Sequence, residues 1–176
     1  MDKPKTVYIS YIATTPEKLW DALTEGEFTR KYWGGRRIQS DWRVGSSVKH
    51  IREDGVIDWQ GEVLKSERPR LLSYSFHMHI SDRHRGEQPS RVTFEIEPMG
   101  AVVKLTLSHD GFVSAGATFE TTHHGWPAIL SSLKSLLETG NPLPFTGLGF
   151  GPKRADKPDL TGGSIILGVS QILFWR

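Results

Sequence analysis

The stretch from Phe119 to Gly140 decides the fold, and it reads FETTHHGWPAILSSLKSLLETG. Pro127 is typical of the first turn of a helix, and Gly140 is typical of the residue that ends one. The large apolar residues recur every three or four positions, which places them on one helical face: Trp126, Ile129, Leu130, Leu133, Leu136 and Leu137. We therefore predict a long amphipathic helix that begins near Pro127 and ends at Gly140.

The part of the chain before this helix alternates between apolar and polar residues, as strands with one buried face do. In Leu71–Ile80 the alternation is clearest: one face holds Leu72, Tyr74, Phe76, Met78 and Ile80, and the other holds Ser73, Ser75, His77 and His79. Turn residues separate six predicted strands, which are Arg37–Trp42, Ser46–Arg52, Ile57–Ser66, Leu71–Ile80, Ser90–Glu97 and Ala101–His109. We predict an antiparallel sheet that is covered on one side.

The N-terminal residues supply one more strand and two short helices. Lys5–Ala13 is rich in β-branched and aromatic residues, and Thr15 followed by Pro16 is a typical helix start. A second short helix is predicted from Glu25 to Tyr32. The fold class is therefore α+β, with a curved sheet of six or seven strands wrapped around the long helix, and the function depends on what fills the space between them.

Two segments with different compositions divide the chain. Residues 1–140 form the predicted globular domain, whereas Asn141–Gly163 is rich in glycine and proline without a period. Ser164–Trp175 is then strongly apolar, but it is too short for a membrane span, which needs about 20 residues. We expect this C-terminal segment to pack over the cavity mouth of its own domain or against a second subunit, which makes a homodimer possible.

Composition and charge exclude several classes of function. The 176 residues contain no cysteine, which rules out a disulfide framework, a thiolate nucleophile and a zinc–cysteine site. The net charge is only +2, and the basic pairs are short and scattered, so we predict no nucleic-acid partner. The first residues carry no apolar leader, and a cytoplasmic location is the default expectation.

A candidate binding site lies between the predicted helix and sheet. A mostly apolar cavity with a few polar groups is what a small-molecule site needs, and dense packing of the same aromatics into a dry core is the alternative. His109 or Tyr74 would orient a polar group of the ligand. The predicted lining consists of Trp20, Tyr32, Trp33, Trp59, Tyr74, Phe76, Phe94, His109 and Trp126.

The remaining polar residues give weaker signals. His77 and His79 have a spacing that can hold a metal, but no third ligand is evident, so we predict no metal site. The chain has no nucleotide-binding glycine motif, and we expect no cofactor. His109 or His123 would be the acid–base group if the cavity were that of a cofactor-free cyclase, dehydratase or hydrolase. The acidic residues of the strands are predicted to lie on the solvent-exposed face: Asp58, Glu62, Glu95 and Glu97.

Several local motifs, in a fixed order, resemble those of one protein family. The stretch Ala13–Thr24, ATTPEKLWDALT, resembles the opening motif of the family named after the activator of Hsp90 ATPase. That family usually has Gly-Gly where this chain has Gly45-Ser46. The resemblance covers about Thr6 to Gly140 and continues in KYW at 31–33, DWRVG at 41–45, GEV at 61–63, RPRLLSY at 68–74, GW at 125–126 and LK at 133–134.

This resemblance implies the helix-grip fold of START-like and birch-pollen-allergen-like proteins. It leaves the function open, because the fold hosts lipid carriers, cyclases, aromatases, hydroxylase subunits and co-chaperone domains. Reversible binding of a small apolar molecule is the first expectation, and an enzyme that uses the same cavity is the second. The third is an interaction module for an Hsp90-type ATPase, although the N-terminal domain of the eukaryotic activator has no counterpart in this sequence.

Overall fold

The computed structural model of the chain describes residues 3–144. The predicted apolar segment Ser164–Trp175, most of the glycine- and proline-rich stretch and the proposed dimer contact lie outside the described residues. In chain order the elements are β1 Thr6–Ile12, α1 Pro16–Thr24, α2 Gly26–Tyr32, β2 Arg37–Gln39, β3 Ser47–Ile51, β4 Ile57–Glu67, β5 Leu71–Met78, a short 3₁₀ helix Asp82–His84, β6 Ser90–Met99, β7 Val102–Asp110 and α3 Ala117–Thr139.

The strands form one curved antiparallel sheet of seven strands in the order β1-β7-β6-β5-β4-β3-β2. From β2 to β7 each strand pairs with the next one along the chain, and β1 closes the series beside β7. The predicted fold class is thus confirmed. The alternation in β5 is also as predicted, with Tyr74 and Phe76 buried against the helix side and His77 half-buried on the other.

The long helix α3 packs its apolar stripe against the sheet, as predicted. Trp126 and Leu133 are fully buried. The predicted start near Pro127 is wrong, because α3 begins ten residues earlier and Pro127 lies inside it. A proline inside a helix cannot donate to the carbonyl oxygen four residues before it. That oxygen, on His123, instead accepts a hydrogen bond from the Tyr8 hydroxyl at 2.8 Å, so a residue of β1 takes the place of the missing donor.

A side chain from another segment caps the N-terminus of α3. Gly116 at the cap position has no side-chain acceptor, but the Glu87 carboxylate accepts hydrogen bonds from the backbone N–H groups of Ala117 and Thr118 at 2.7 and 2.9 Å. A Cβ atom on Gly116 would stand 2.2 Å from the Glu87 carboxylate, so glycine permits this close approach. Negative charge at a helix N-terminus is stabilising.

The two short helices cover one end of the grip. Thr15 caps α1 by accepting from the Lys18 N–H at 3.3 Å, as its sequence predicts. The buried Tyr32 hydroxyl donates to the Ala22 carbonyl oxygen at 3.0 Å and ties α2 to α1. The N–H of Ile38 donates to Thr29 Oγ at 3.0 Å, which attaches α2 to β2. Among residues 3–144 no helix is long and apolar enough to cross a membrane.

One charge assignment from the sequence is wrong. Asp58 was expected on the solvent-exposed face, but only 2% of it is exposed, and its carboxylate pairs with the guanidinium of the equally buried Arg36. The strand pattern does not show this burial because the partner comes from the loop before β2, which covers this end of the sheet. Arg36 also donates to the Gly34 carbonyl oxygen at 2.8 Å, which fixes the loop that follows α2.

Candidate functional site

A narrow gap lies between α3 and the middle of the sheet. Its volume is about 10 Å³, close to the smallest space that holds one water molecule. The sheet, α3 and the end of α2 each contribute to its lining, which consists of Trp33, Trp59, Phe76, Met78, Thr122, Gly125, Trp126 and Ile129. The interior of the grip is therefore almost filled by its own side chains in this structure.

Trp33 is one of the three tryptophans that line this gap. It is the C-terminal cap of α2, it is 4% exposed, and its ring centroid lies 5.2 Å from that of Trp126 and 6.1 Å from that of Trp59. The two residues that follow it are Gly34 and Gly35, with φ angles of 60° and 78°, a region that glycine enters without strain. The bulky ring thus stands directly before two residues whose positive φ angles favour glycine.

His50 packs against Trp33 and is the most unusual polar residue of the interior. It is 1% exposed, and its ring centroid lies 4.4 Å from that of Trp33. Neither Nδ1 nor Nε2 has a hydrogen-bond partner among the described residues. Burial and the nearby charge of Arg36 hold the pKa of His50 well below its usual range, so the ring is neutral.

Trp59, the neighbour of His50, also has a buried polar atom without a partner among the described residues. It faces His50 directly across the β3–β4 pair, and the two rings stack with centroids 5.0 Å apart. Its indole Nε1 also lacks a partner among residues 3–144. A buried polar group without a hydrogen bond costs about 1–3 kcal/mol, and three such atoms lie on two neighbouring side chains here. The rest of the Trp59 ring packs on Tyr74 and Phe76 at 5.3 and 4.6 Å.

His109, the polar residue that the sequence favoured, is fully hydrogen-bonded. The Trp126 indole N–H donates to Nδ1 at 2.9 Å, and Nε2 lies 2.7 Å from the Ser90 hydroxyl. Because Nδ1 accepts, the neutral ring carries its proton on Nε2 and donates it to Ser90. Ser90 in turn donates to the Phe76 carbonyl oxygen at 3.1 Å. Burial lowers the pKa of His109 to about 3.

All nine predicted lining residues are buried, but they do not share one position. Trp33, Trp59, Phe76 and Trp126 line the gap. The others, Trp20, Tyr32, Tyr74, Phe94 and His109, pack elsewhere in the same core. The predicted set omitted four residues that line the gap, Met78, Thr122, Gly125 and Ile129. It also omitted His50, which packs against Trp33. The signal for His50 was present, because it shares the inward parity of Val48 in the predicted strand.

The remaining histidines lie outside the gap. His123 stacks on Phe119 at 5.6 Å near the Tyr8 hydroxyl, and no residue of the gap lining contacts it through a ring. His77 and His79 border a surface hollow of about 620 Å³. Within the part of the chain that the structure describes, no group of three or more potential metal ligands is arranged to hold an ion.

Sequence and structure comparisons define the class of the protein. Its fold is the START-like helix grip, a fold family whose members commonly bind small hydrophobic ligands. The family model described as activator of Hsp90 ATPase homolog 1-like protein matches residues 13–138. The chain belongs to this family. Comparison with curated protein sequences gives no significant match.

Solved structures of similar proteins agree with this class. A protein from Mesorhizobium loti is 26% identical, with a TM-score of 0.65 over 76% of this chain and 96% of that one. The Aha1 dimer from Colwellia psychrerythraea is 22% identical, with a TM-score of 0.63 over 78% and 98% of the two chains. An HSP90 activator from Plasmodium falciparum is 20% identical, with a TM-score of 0.63 over 76% and 95%.

Proposed function

We propose that this protein binds a small, largely apolar molecule between the sheet and α3, and that Trp33 moves aside to admit it. The observation that carries the proposal is the position of Trp33, a large ring that lines an aromatic gap and immediately precedes two glycines with positive φ. Of the nine residues that we propose around the ligand, Trp33, Trp59, Phe76 and Trp126 would contact it first. We propose binding rather than catalysis because both nitrogens of His109 are engaged and His123 lies outside the gap.

The indole of Trp33 sets the scale of the ligand. A two-ring aromatic molecule that takes its place buries about 200 Å² of apolar surface, which contributes about 5 kcal/mol. The displacement of Trp33 and the ordering of the ligand reduce this gain. A simple probe of this size is therefore expected to bind with a Kd of the order of 1 mM.

Naphthalene is a suitable first probe, and the chain carries its own reporters. The indole N–H signals of Trp33, Trp59 and Trp126 can be followed in ¹H–¹⁵N correlation spectra of the full-length protein during titration. Binding in the gap shifts these three signals and leaves that of Trp42 almost unchanged, because Trp42 does not line the gap. Titration without any change in the three gap signals would contradict the proposal.

A pair of methionines provides a matched test of the location. Met78 lines the gap and is 2% exposed, whereas Met99 is 51% exposed at the end of β6. Met78→Trp adds bulk where the probe would lie and is expected to weaken naphthalene binding at least tenfold. Met99→Trp makes the same change on the surface and should leave the Kd unchanged. Equal effects of both substitutions would place the probe elsewhere.

The outer face of β1 favours a second candidate function, interaction with an Hsp90-type ATPase. Val7, Ile9 and Tyr11 share this face of an edge strand, and each is 50–56% exposed. Such a contiguous apolar surface is typical of an interaction site. Ile9→Lys would then reduce stimulation of the ATPase, whereas Val113→Lys, at an exposed loop position, would not. Unchanged turnover at saturating protein would remove this candidate.

A second copy of the chain is the partner that we propose for the apolar segment Ser164–Trp175. Its composition supports this proposal, as does the dimeric state of the protein from Colwellia psychrerythraea. Light scattering should give a dimer mass for the full-length chain and a monomer mass for an Ile166→Asp/Leu173→Asp variant. Leu143→Asp is the control, since Leu143 is an exposed apolar residue before the segment. A monomer at all concentrations would refute this proposal.

A further inference from the structure

We propose that the ligand of this gap is uncharged and carries a hydroxyl or an equivalent group that both donates and accepts a hydrogen bond, and that this group pairs with His50 and Trp59. This inference rests on the proposed function and specifies the ligand. It assigns a polar recognition site to one end of an otherwise aromatic interior.

His50 and Trp59 both carry buried polar atoms that make no hydrogen bond to residues 3–144. His50 Nδ1, His50 Nε2 and Trp59 Nε1 have no hydrogen-bond partner among residues 3–144, although both residues are almost completely buried. A neutral imidazole offers one donor and one acceptor, and an indole offers one donor. Because His50 and Trp59 are cross-strand neighbours, a single small group can reach both. A hydroxyl can donate to the acceptor nitrogen of His50 and at the same time accept from the Trp59 indole N–H.

The Trp33 ring packs against both side chains. It lies 4.4 Å from His50 and 6.1 Å from Trp59 between ring centroids, and it is also part of the gap lining. Indole carbon atoms offer the two polar groups no acceptor. When Trp33 moves aside, the same displacement opens the gap and uncovers His50, so an incoming ring reaches these polar groups where the Trp33 ring lay.

The charges near the gap also limit the ligand. The cation whose charge acts on His50 is Arg36, which is paired with Asp58 and donates to the Gly34 carbonyl oxygen at 2.8 Å. A carboxylate or an ammonium group in the gap would lose its hydration without meeting an opposite charge among the residues that line it. The lining of the gap consists of uncharged side chains. An uncharged ligand is therefore favoured.

Three probes with the same ring system test the inference on the full-length protein at neutral pH: naphthalene, 2-naphthol and 2-naphthoate. NMR titration is expected to show that 2-naphthol binds about tenfold more tightly than naphthalene, the gain from pairing one buried group. 2-Naphthoate should bind at least tenfold more weakly than 2-naphthol. His50→Phe keeps the ring shape and should abolish the preference for 2-naphthol, whereas the control His79→Phe, at an exposed position of the same residue type, should retain it.

The results separate this inference from the proposed function. If naphthalene and 2-naphthol bind equally well to the wild-type protein, or if 2-naphthoate binds best, the inference is overturned while binding in the gap stands. If neither naphthalene nor 2-naphthol binds, the proposed function fails and the inference fails with it. The wild-type comparison does not depend on the folding of any variant. Long-range ¹H–¹⁵N spectra add a direct readout, because the His50 ring nitrogens should shift with 2-naphthol and not with naphthalene.

Discussion

Two buried histidines belong to the same sheet, His50 in β3 and His109 in β7, and they differ in their hydrogen bonds. His109 is bonded at both nitrogens, to the indole of α3 and to a serine of β6, so it joins helix to sheet. His50 is equally buried and has no partner among residues 3–144. A fully paired buried polar group stabilises the fold, whereas an unpaired one destabilises it. The comparison indicates that the His109 side of the core maintains the fold and that the His50 side is where a ligand would be recognised.

The largest expected effect is a loss of stability at acidic pH, because both histidines are neutral in the folded state. The pKa of each lies below its ordinary value, so the unfolded chain binds more protons below pH 6.5 and stability rises with pH in this range. Between pH 6.5 and pH 5 the free energy of unfolding should fall: His109, whose pKa is about 3, contributes roughly 1.5 kcal/mol to this fall, and His50 adds to it. Urea unfolding across this range measures it. If His50→Phe retained the full pH dependence, a neutral buried His50 would be contradicted.

The next largest effect should come from His109→Phe. This change leaves the Trp126 indole N–H without its acceptor and removes the hydrogen bond from His109 to the Ser90 hydroxyl, which keeps its bond to the Phe76 carbonyl oxygen. We expect a loss of about 2–3 kcal/mol in the free energy of unfolding at pH 8, where neither histidine is protonated. Denaturant unfolding checks this value. A change below about 0.5 kcal/mol would show that His109 does not fasten the helix to the sheet.

Ser90→Ala makes a smaller change in the same chain of hydrogen bonds. It removes the acceptor of His109 Nε2 but leaves the Trp126 bond in place. The expected loss is about 1 kcal/mol, less than that of His109→Phe. Thermal unfolding of both variants and of the double variant shows whether the two effects overlap. Simple additivity of the two losses would indicate that the residues act independently, contrary to the geometry.

The smallest expected effect is that of His50→Phe, and its sign is opposite. The substitution replaces two nitrogens that have no partner within the described part of the chain by apolar atoms next to Trp33 and Trp59. At pH 8 the free energy of unfolding should be unchanged or higher by up to about 1 kcal/mol. The same unfolding measurement applies. A loss as large as that of His109→Phe would mean that His50 stabilises the fold, and the contrast between the two histidines would disappear.

Local patterns were sufficient for the architecture. The strand alternation, the helical stripe from Trp126 to Leu137 and the cap at Thr15 depend on neighbouring residues, so the sequence predicts the element order and the fold class. The start of α3 was missed because Pro127 is a reliable local signal for a first turn. Its cost inside the helix is offset by Tyr8, which is more than a hundred residues away and therefore invisible to a local pattern.

The candidate site shows the same difference between what local sequence patterns predict and what contacts between distant segments decide. The aromatic residues between Trp20 and Trp126 were identified from strand parity and helix faces, and all nine predicted residues are buried because apolar periodicity encodes burial. The strand alternation that His50 shares with Val48 is a signal that His50 faces the core. This alternation does not reveal whether a buried polar atom finds a hydrogen-bond partner. That depends on which atoms the β3–β4 register and the position of Trp33 bring together.

The sequence by itself therefore determined the class of fold, the family and the buried faces, since each follows from side chains within a few residues of one another. The tertiary structure decided that the interior is nearly filled and that Asp58 is buried beside Arg36. It also decided that His109 is paired, whereas His50 has no hydrogen-bond partner among residues 3–144. These outcomes depend on distances between segments far apart in the chain, and a hydrogen bond requires its atoms within about 3 Å, a precision that residue spacing does not encode.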